Sequence, residues 1–230
     1  MNKIYLLFLL LSLLTVSSCS SDNDDVSAPA IKPETAGTMT DARDGYTYHW
    51  VRFNGIDWTV ENSHFNTDDE NCTIYTTDQT LGQEEGDNDV QTLNVYGYLY
   101  TWTGAKEAVP DGWRLPTDAD FQKLEQALGM TVDEAAADGW RGSYQTTLLR
   151  QGEEGTGLKF LYGGMNDANS SSFASHSQWM SALGYYWTAT SADNESLAYI
   201  RKIQYNSGQV WRHTSKVNNF FSVRFVRDAK

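Results

Sequence analysis

Three tryptophans, Trp140, Trp179 and Trp211, fall in or beside segments rich in glycine, serine and turn-forming residues, and each has a polar neighbour in Arg141, Gln178 or Arg212. An indole face exposed on a loop stacks on a sugar ring while neighbouring amide and guanidinium groups bond its hydroxyls. The pattern points to carbohydrate recognition, with Trp140, Trp179, Trp211 and Arg212 as the ligand-binding set. Against it stands plain packing, each indole forming a satellite core under a long loop. Asn166, Asp167 and Asn169, and likewise Asp87, Asn88 and Asp89, offer oxygen ligands at the short spacing that a hard cation such as Ca²⁺ requires. Neither run has the glycine and trailing glutamate of an EF-hand loop, so a polar loop is the better reading and Ca²⁺ is the one cofactor left open.

Catalytic patterns are missing. The chain has no HExxH, GxSxG or phosphate-binding loop, and Gly152, Gly155 and Gly157 are not spaced to cradle phosphate. His49, His64, His176 and His213 lack metal-ligand spacing. Among 30 acidic residues no pair stands out as the two carboxylates of a glycosidase. Cys72 reads as a buried thiol, since a nucleophile would need a cationic or imidazole neighbour and sequence does not bring His64 to it. The sequence therefore predicts a binding protein rather than an enzyme.

The 230 residues, 17 basic and 30 acidic, carry a net charge of −13. At roughly 100–200 residues per domain, this allows one domain or two small ones with a real core. The acidic surface repels phosphate backbones, so nucleic acid is not an expected partner. Two cysteines cannot build a disulfide scaffold or a four-cysteine zinc site.

The N-terminus carries an address. One positive charge, Lys3, precedes an apolar run over residues 4–16 that is too short to span a bilayer and reads as a secretion signal. Val16, Ser17, Ser18 and Cys19 resemble the bacterial lipoprotein box, in which the cysteine is diacylated and becomes the new N-terminus. The acidic run that follows, Ser20 to Asp25, resembles the export tag of Bacteroidetes surface lipoproteins. The expected organisation is a signal peptide over 1–18, a flexible acidic tether over 19–43 beginning at lipidated Cys19, and one domain over 44–230. The bilayer, reached through the acyl anchor, is then one partner, and the outer membrane, with the domain facing outward, is the location.

Within the body, residues 46–53 and 56–60 flank Asn54-Gly55, the pair that favours a two-residue hairpin turn with positive φ at both centres. Residues 66–92 read as irregular around a short strand at 72–75, and 96–102 as extended. Thr117 and Asp120 form a capping box ahead of Phe121, Leu124 and Leu128, with Gly129 as a stop. Thr131 and Glu134 repeat it for a second helix over 132–138, which Gly139 would cap. Residues 142–180 read as a loop-dominated insertion. Strands are predicted over 185–189, 198–205, 209–213 and 222–227, with Asn206-Ser207-Gly208 as a three-residue hairpin loop placing Gly208 at the left-handed position. Strands at both ends with helices between imply an α+β fold of mixed short strands, two helices and long loops, whose terminal strands share a sheet.

Four blocks in series carry a resemblance. They are Asp44-Gly45-Tyr46-Thr47-Tyr48 running on to Trp58-Thr59-Val60-Glu61-Asn62; Tyr96-Gly97-Tyr98-Leu99-Tyr100; Pro110-Asp111-Gly112-Trp113-Arg114-Leu115-Pro116-Thr117; and Gly184-Tyr185-Tyr186-Trp187-Thr188-Ala189-Thr190 followed by Phe221-Ser222-Val223-Arg224-Phe225-Val226-Arg227-Asp228. Together they resemble the Fibrobacter succinogenes major paralogous domain of secreted and lipid-anchored proteins, over residues 44–228. More distantly, they are similar to the C-type-lectin-like and formylglycine-generating-enzyme-like fold group, which implies a C-type-lectin-like α+β fold. The paired cysteines of the formylglycine-generating enzymes are not matched here, so that chemistry is not expected. Within the blocks, Trp113, Arg114, Pro116, Trp187, Arg224 and Arg227 read as structural: indoles fill the core, Pro116 ends an extended segment, and Arg114 pairs with an acid such as Asp111 or Asp228. The functional expectation is a non-catalytic surface module that binds glycan or a surface protein through loop aromatics. The alternatives are an accessory subunit of a pilus or polysaccharide-uptake assembly and, behind it, a hydrolase with an unrecognised acidic site.

Overall fold

The computed structural model describes residues 27–67, 70–75, 87–168, 177–192 and 195–229. Asn54 and Gly55 have φ of 47° and 71°, and their turn joins β2 (Thr47–Phe53) to β3 (Ile56–Thr59) in the register expected of a two-residue loop. The first sheet is completed by β1 (Ala36–Thr40) against β2 and by β12 (Val226–Asp228) against β3, all antiparallel. The terminal strands therefore close into one sheet.

The second sheet runs β6 (Gly139–Arg141), β11 (Val210–Lys216), β10 (Leu197–Gln204), β9 (Leu183–Ser191), β7 (Gly163–Asn166) and β8 (Ser177–Met180). Its contacts are antiparallel except for the parallel meeting of β7 with β9. A minor ladder pairs β4 (Cys72–Thr73) with β5 (Leu99–Tyr100). Among the described residues five helices fill the connections: α1 (Asp87–Tyr96), α2 (Trp102–Glu107), α3 (Asp118–Ala127), α4 (Val132–Ala136) and α5 (Gln145–Arg150). The fold is α+β.

Both capping boxes form. Thr117 and Asp120 close the start of α3 and Thr131 and Glu134 that of α4, each satisfying two amides that a helix start leaves unpaired. Phe121 and Leu124 of α3 are buried with Trp58, Leu148, Phe160, Tyr186 and Ile203 in one core. A second core holds Tyr48, Tyr100, Trp187, Ile200, Phe221 and Phe225. Side chains on the two faces of the β9–β10 ladder divide between these cores, Ile203 and Tyr186 to the first and Ile200 and Trp187 to the second, so the long sheet is the wall between them.

Several expectations are corrected. Residues 36–40, assigned to the tether, form β1, and the chain just before them is tied to β2, with Glu34 N donating to Arg52 O (3.0 Å) and Arg52 N to Thr35 O (2.9 Å). Backbone pairing supplies what the polar sequence could not advertise. The region 66–92 contains most of α1, and the stretch 96–102 holds only the two-residue β5 between the ends of α1 and α2. The insertion 142–180 carries α5, β7 and β8. Gly139 lies beyond Ala137, the residue that caps α4, and uses φ of 83° to turn into β6. Gly208 is not left-handed: it is there because a Cβ would collide with the Ser143 carbonyl. The expected strand over 222–227 shortens to β12, its earlier residues making single bridges instead.

Candidate functional site

Adjacent residues of a strand face opposite sides, and β10 and β11 exploit this. On the α3 side lie Arg201 of β10 and Arg212 of β11, joined by Arg141 of β6. Arg201 Nε donates to Glu125 Oε1 (2.7 Å) and its Nη1 to Asp118 Oδ1 (2.7 Å). Arg212 Nη2 donates to Asp118 Oδ2 (2.8 Å) and its Nη1 to Asp138 Oδ1 (2.5 Å). Arg141 Nη2 donates to Glu125 Oε2 (2.5 Å). Burial raises the Asp118 carboxyl, but the Arg212 and Arg201 guanidinium groups outweigh it and hold it below the usual carboxylate range. Arg212, expected to bind ligand, is thus engaged at Nε, Nη1 and Nη2 by carboxylates, and serves to fasten α3 to the sheet.

The opposite side is different in kind. The registers Trp140 to Trp211, Trp211 to Lys202 and Lys202 to Tyr185 place four side chains in one row across β6, β11, β10 and β9. The Trp140 and Trp211 rings are near-parallel (25°) with centroids 6.1 Å apart, and His213 continues from Trp211 at 5.2 Å and 24°. Lys202 Nζ lies 3.5 Å from the Trp211 centroid, 5.0 Å from that of Trp140 and 5.9 Å from that of Tyr185. Trp140 is 37% exposed; Trp211 and Lys202 are half-buried and His213 is exposed. Tyr185 is anchored beneath by stacking on Phe221 at 5.0 Å.

Burial pushes the Lys202 ammonium below the ordinary lysine value and the Tyr185 phenol up to about 12. Among the described residues no carboxylate pairs with Lys202, whereas every arginine of the opposite side has one. The row presents donors, an ammonium, a phenol and two indole N–H groups, beside aromatic faces. That is equipment for holding a ring-shaped polar ligand.

Trp179 is elsewhere. It is 56% exposed on β8, the edge opposite β6, with φ of 68°, and its Nε1 donates to Gln178 Oε1 (3.0 Å). The structure thus brings Trp140 and Trp211 together and leaves Trp179 out. Asn166 is part of β7, where its backbone exchanges two hydrogen bonds with Phe220 (3.1 and 2.9 Å). Asp167 follows that strand; Asn169, His176 and Cys19 lie outside the described residues. Among the described residues no three His, Cys, Asp or Glu side chains gather where they could hold a metal ion. Cys72 is half-buried rather than buried, its Sγ donating to Asn66 Oδ1 (3.1 Å). Lys202 and Tyr185 escaped the sequence reading. Their signal was alternation: the short loop after Gln204 sets Lys202 opposite Trp211.

The residues of the four sequence blocks are braces. Arg114 Nη1 donates to Asp120 Oδ2 (2.5 Å) and its Nη2 to Asp228 Oδ1 (2.8 Å), tying the start of α3 to the C-terminal strand, with Asp120 taking the place suggested for Asp111. Pro116 O accepts from Ala189 N (2.7 Å). Trp187 is fully buried with Nε1 donating to Tyr100 O (2.7 Å). Trp113 is only half-buried, with the Arg227 guanidinium 4.6 Å above its ring, and Arg227 Nε also donates to Asp57 Oδ2 (2.8 Å). Arg224, with no accessible surface, spends its donors on Asn62 Oδ1 and on the carbonyls of Thr59, Val60, Leu158 and Lys159. These braces cross between the sequence blocks that suggested a family.

A family model for the Fibrobacter succinogenes major domain matches residues 51–227. The chain belongs to this family. No match was found among curated proteins or among solved structures. The domain family accounts for the blocks around Trp58, Trp113, Trp187 and Arg224, and the matched span also encloses the Trp140–Trp211–Lys202 row.

Proposed function

We propose that this Fibrobacter succinogenes major domain is a non-catalytic glycan-binding module displayed from the outer membrane on a lipid anchor at Cys19. The observation that carries the binding half is the row of Trp140, Trp211, Lys202 and Tyr185: aromatic faces and unengaged donors side by side on a rigid sheet. Sites built on strands hold their geometry better than sites on loops. The anchoring half rests on the apolar leader and the small residues before Cys19. A C-type-lectin-like kinship of the fold belongs to the same reading and is supported by the first and last strands sharing one sheet and by a second sheet fed from long connections.

The test is a glycan-array screen of the full chain beside a Trp140→Ala, Trp211→Ala double variant, with and without Ca²⁺. Binding that disappears in the double variant is the expected result. Undiminished binding in a folded double variant would move the site elsewhere. Replacing Cys19 by Ser should abolish incorporation of labelled fatty acid and release the protein from the membrane fraction.

The reading as an accessory subunit of a surface assembly has one observation in its favour, Trp179 exposed on the edge strand β8, since exposed edges pair with other chains. The hydrolase reading finds no comparable support. A cavity of about 620 Å³ is lined in part by Glu61 and Glu153. However, Glu61 accepts from His49 at both oxygens (2.8 Å each) and Glu153 pairs with Lys159 (3.3 Å).

A further inference from the structure

We infer that the Trp140–Trp211 face selects an anionic sugar, a hexopyranose unit bearing a carboxylate or sulfate, and that Lys202 is the selecting residue. The inference rests on the glycan-binding reading and narrows its substrate class.

The first argument is the placement of cations. Among the described residues Lys32, Lys106, Lys123, Arg150 and Lys216 have no carboxylate partner either, but all of them are exposed to water, so what sets Lys202 apart is its burial. Arg43, Arg52, Arg114, Arg141, Arg201, Arg212 and Arg227 are all paired with Asp or Glu. Arg224 is satisfied by carbonyls inside the core. Lys202 is half-buried, its ammonium surrounded by the rings of Trp211, Trp140 and Tyr185, and among the described residues it has neither an ion pair nor a hydrogen bond. Aromatic faces partly compensate a cation for lost water but leave its hydrogen-bonding capacity open.

The second argument is the balance of polar groups. Beside the ammonium stand the Tyr185 hydroxyl and the indole N–H groups of Trp140 and Trp211. None of these three has a hydrogen-bond partner among the described residues, and neither the Tyr185 hydroxyl nor the Trp211 N–H is sealed from solvent. A site for a neutral sugar is expected to mix donors with carboxylate or amide acceptors, because each sugar hydroxyl both donates and accepts. A site in which an ammonium and two indole N–H groups can only donate, and one hydroxyl can also accept, suits an acceptor-only group, and a carboxylate or sulfate is one. Stacking on the indoles then supplies the ring. The overall negative charge opposes a long polyanion at a distance, but that repulsion is screened beyond about 8 Å at physiological salt, whereas a half-buried contact is screened much less.

The experiment measures affinity of the full chain for tetragalacturonate and for its fully methyl-esterified form, which keeps the rings and removes the charge. Dextran sulfate and dextran form a second acid and neutral pair, and the neutral glycans of the array serve as reference. Wild type is expected to bind at least one acidic partner about tenfold more tightly than its neutral counterpart. Lys202→Met should remove that preference and Lys202→Arg should retain it, with melting curves confirming that both variants fold. Preference on the galacturonate pair identifies carboxylate, and on the dextran pair sulfate. Equal affinity for both members of each pair, or a preference that survives in Lys202→Met, would overturn the assignment of Lys202 while glycan binding itself stands. Silence toward every glycan, acidic and neutral, would overturn both readings together.

Discussion

The two sides of the strands β10 and β11 put the same kind of residue to opposite uses. Arg201 and Lys202 are neighbours in the chain, as are Trp211 and Arg212, yet one of each pair is locked to the carboxylates of α3 and the other is turned to the opposite face, where among the described residues no carboxylate pairs with Lys202. Toward α3, cation and anion meet under cover, where losing one partner strands the other without water. Toward Trp140, a cation is parked against rings and remains available. A charge that is part of the scaffold and one free for a ligand are therefore told apart here by what is opposite them, and not by residue type or depth alone.

This contrast can be broken at four points. The largest effect is expected from Arg201→Met, which leaves Glu125 and Asp118 short of donors and should cost about 3–5 kcal/mol in urea denaturation, as for other broken buried pairs; a cost below about 1 kcal/mol would show that the network is dispensable. Acid should act on the same side. Asp118 and Asp120 are raised by burial but lowered more by Arg212, Arg201 and Arg114, so their folded values lie below the unfolded ones. Their contribution is then complete above the ordinary aspartate pKa of about 3.9 and is lost as pH falls through the depressed folded values. Chemical denaturation between pH 5 and 2 should show stability falling most steeply below about pH 4, and a midpoint unchanged to pH 2 would contradict the pairing. On the other side, Trp140→Ala removes a partly exposed indole and should cost about 1 kcal/mol while abolishing glycan binding. Smallest of all, Lys202→Met should leave stability within about 1 kcal/mol of wild type and on the stabilising side, because burial lowers the lysine pKa and its charged form is the costly one; thermal melting would show this, and a large destabilisation would mean that Lys202 is scaffold after all.

Local chemistry was legible in the sequence and distant pairing was not. Asn54-Gly55 announced its hairpin, and Thr117 and Thr131 announced two helices, because those signals involve residues four or fewer positions apart. The helix α1 was not foreseen, since its Asp- and Asn-rich start reads as loop. The strand β1 was hidden in a polar stretch whose order comes from pairing with β2. Arg212 was read as a ligand residue from its neighbour Trp211, whereas its true partner Asp118 lies 94 positions away. Trp140 and Trp211 were both named, but not as a pair, because only the β6–β11 register unites them. The same register separates them from Trp179 by the whole width of the sheet.

The closing of the first sheet by β12 also sets the order of events in making the protein. Val226 pairs with Trp58, Thr59 N donates to Phe225 O (2.9 Å), and Arg224 fills the space among carbonyls of residues 59, 60, 158 and 159. All three contributors leave the ribosome after every other described element of the fold. At ordinary synthesis rates β3 waits roughly 10–30 s for its second neighbour, and contacts so distant in sequence form slowly even then. The first sheet therefore lacks its fourth strand while the rest of the domain is being made, and it closes only when β12 arrives.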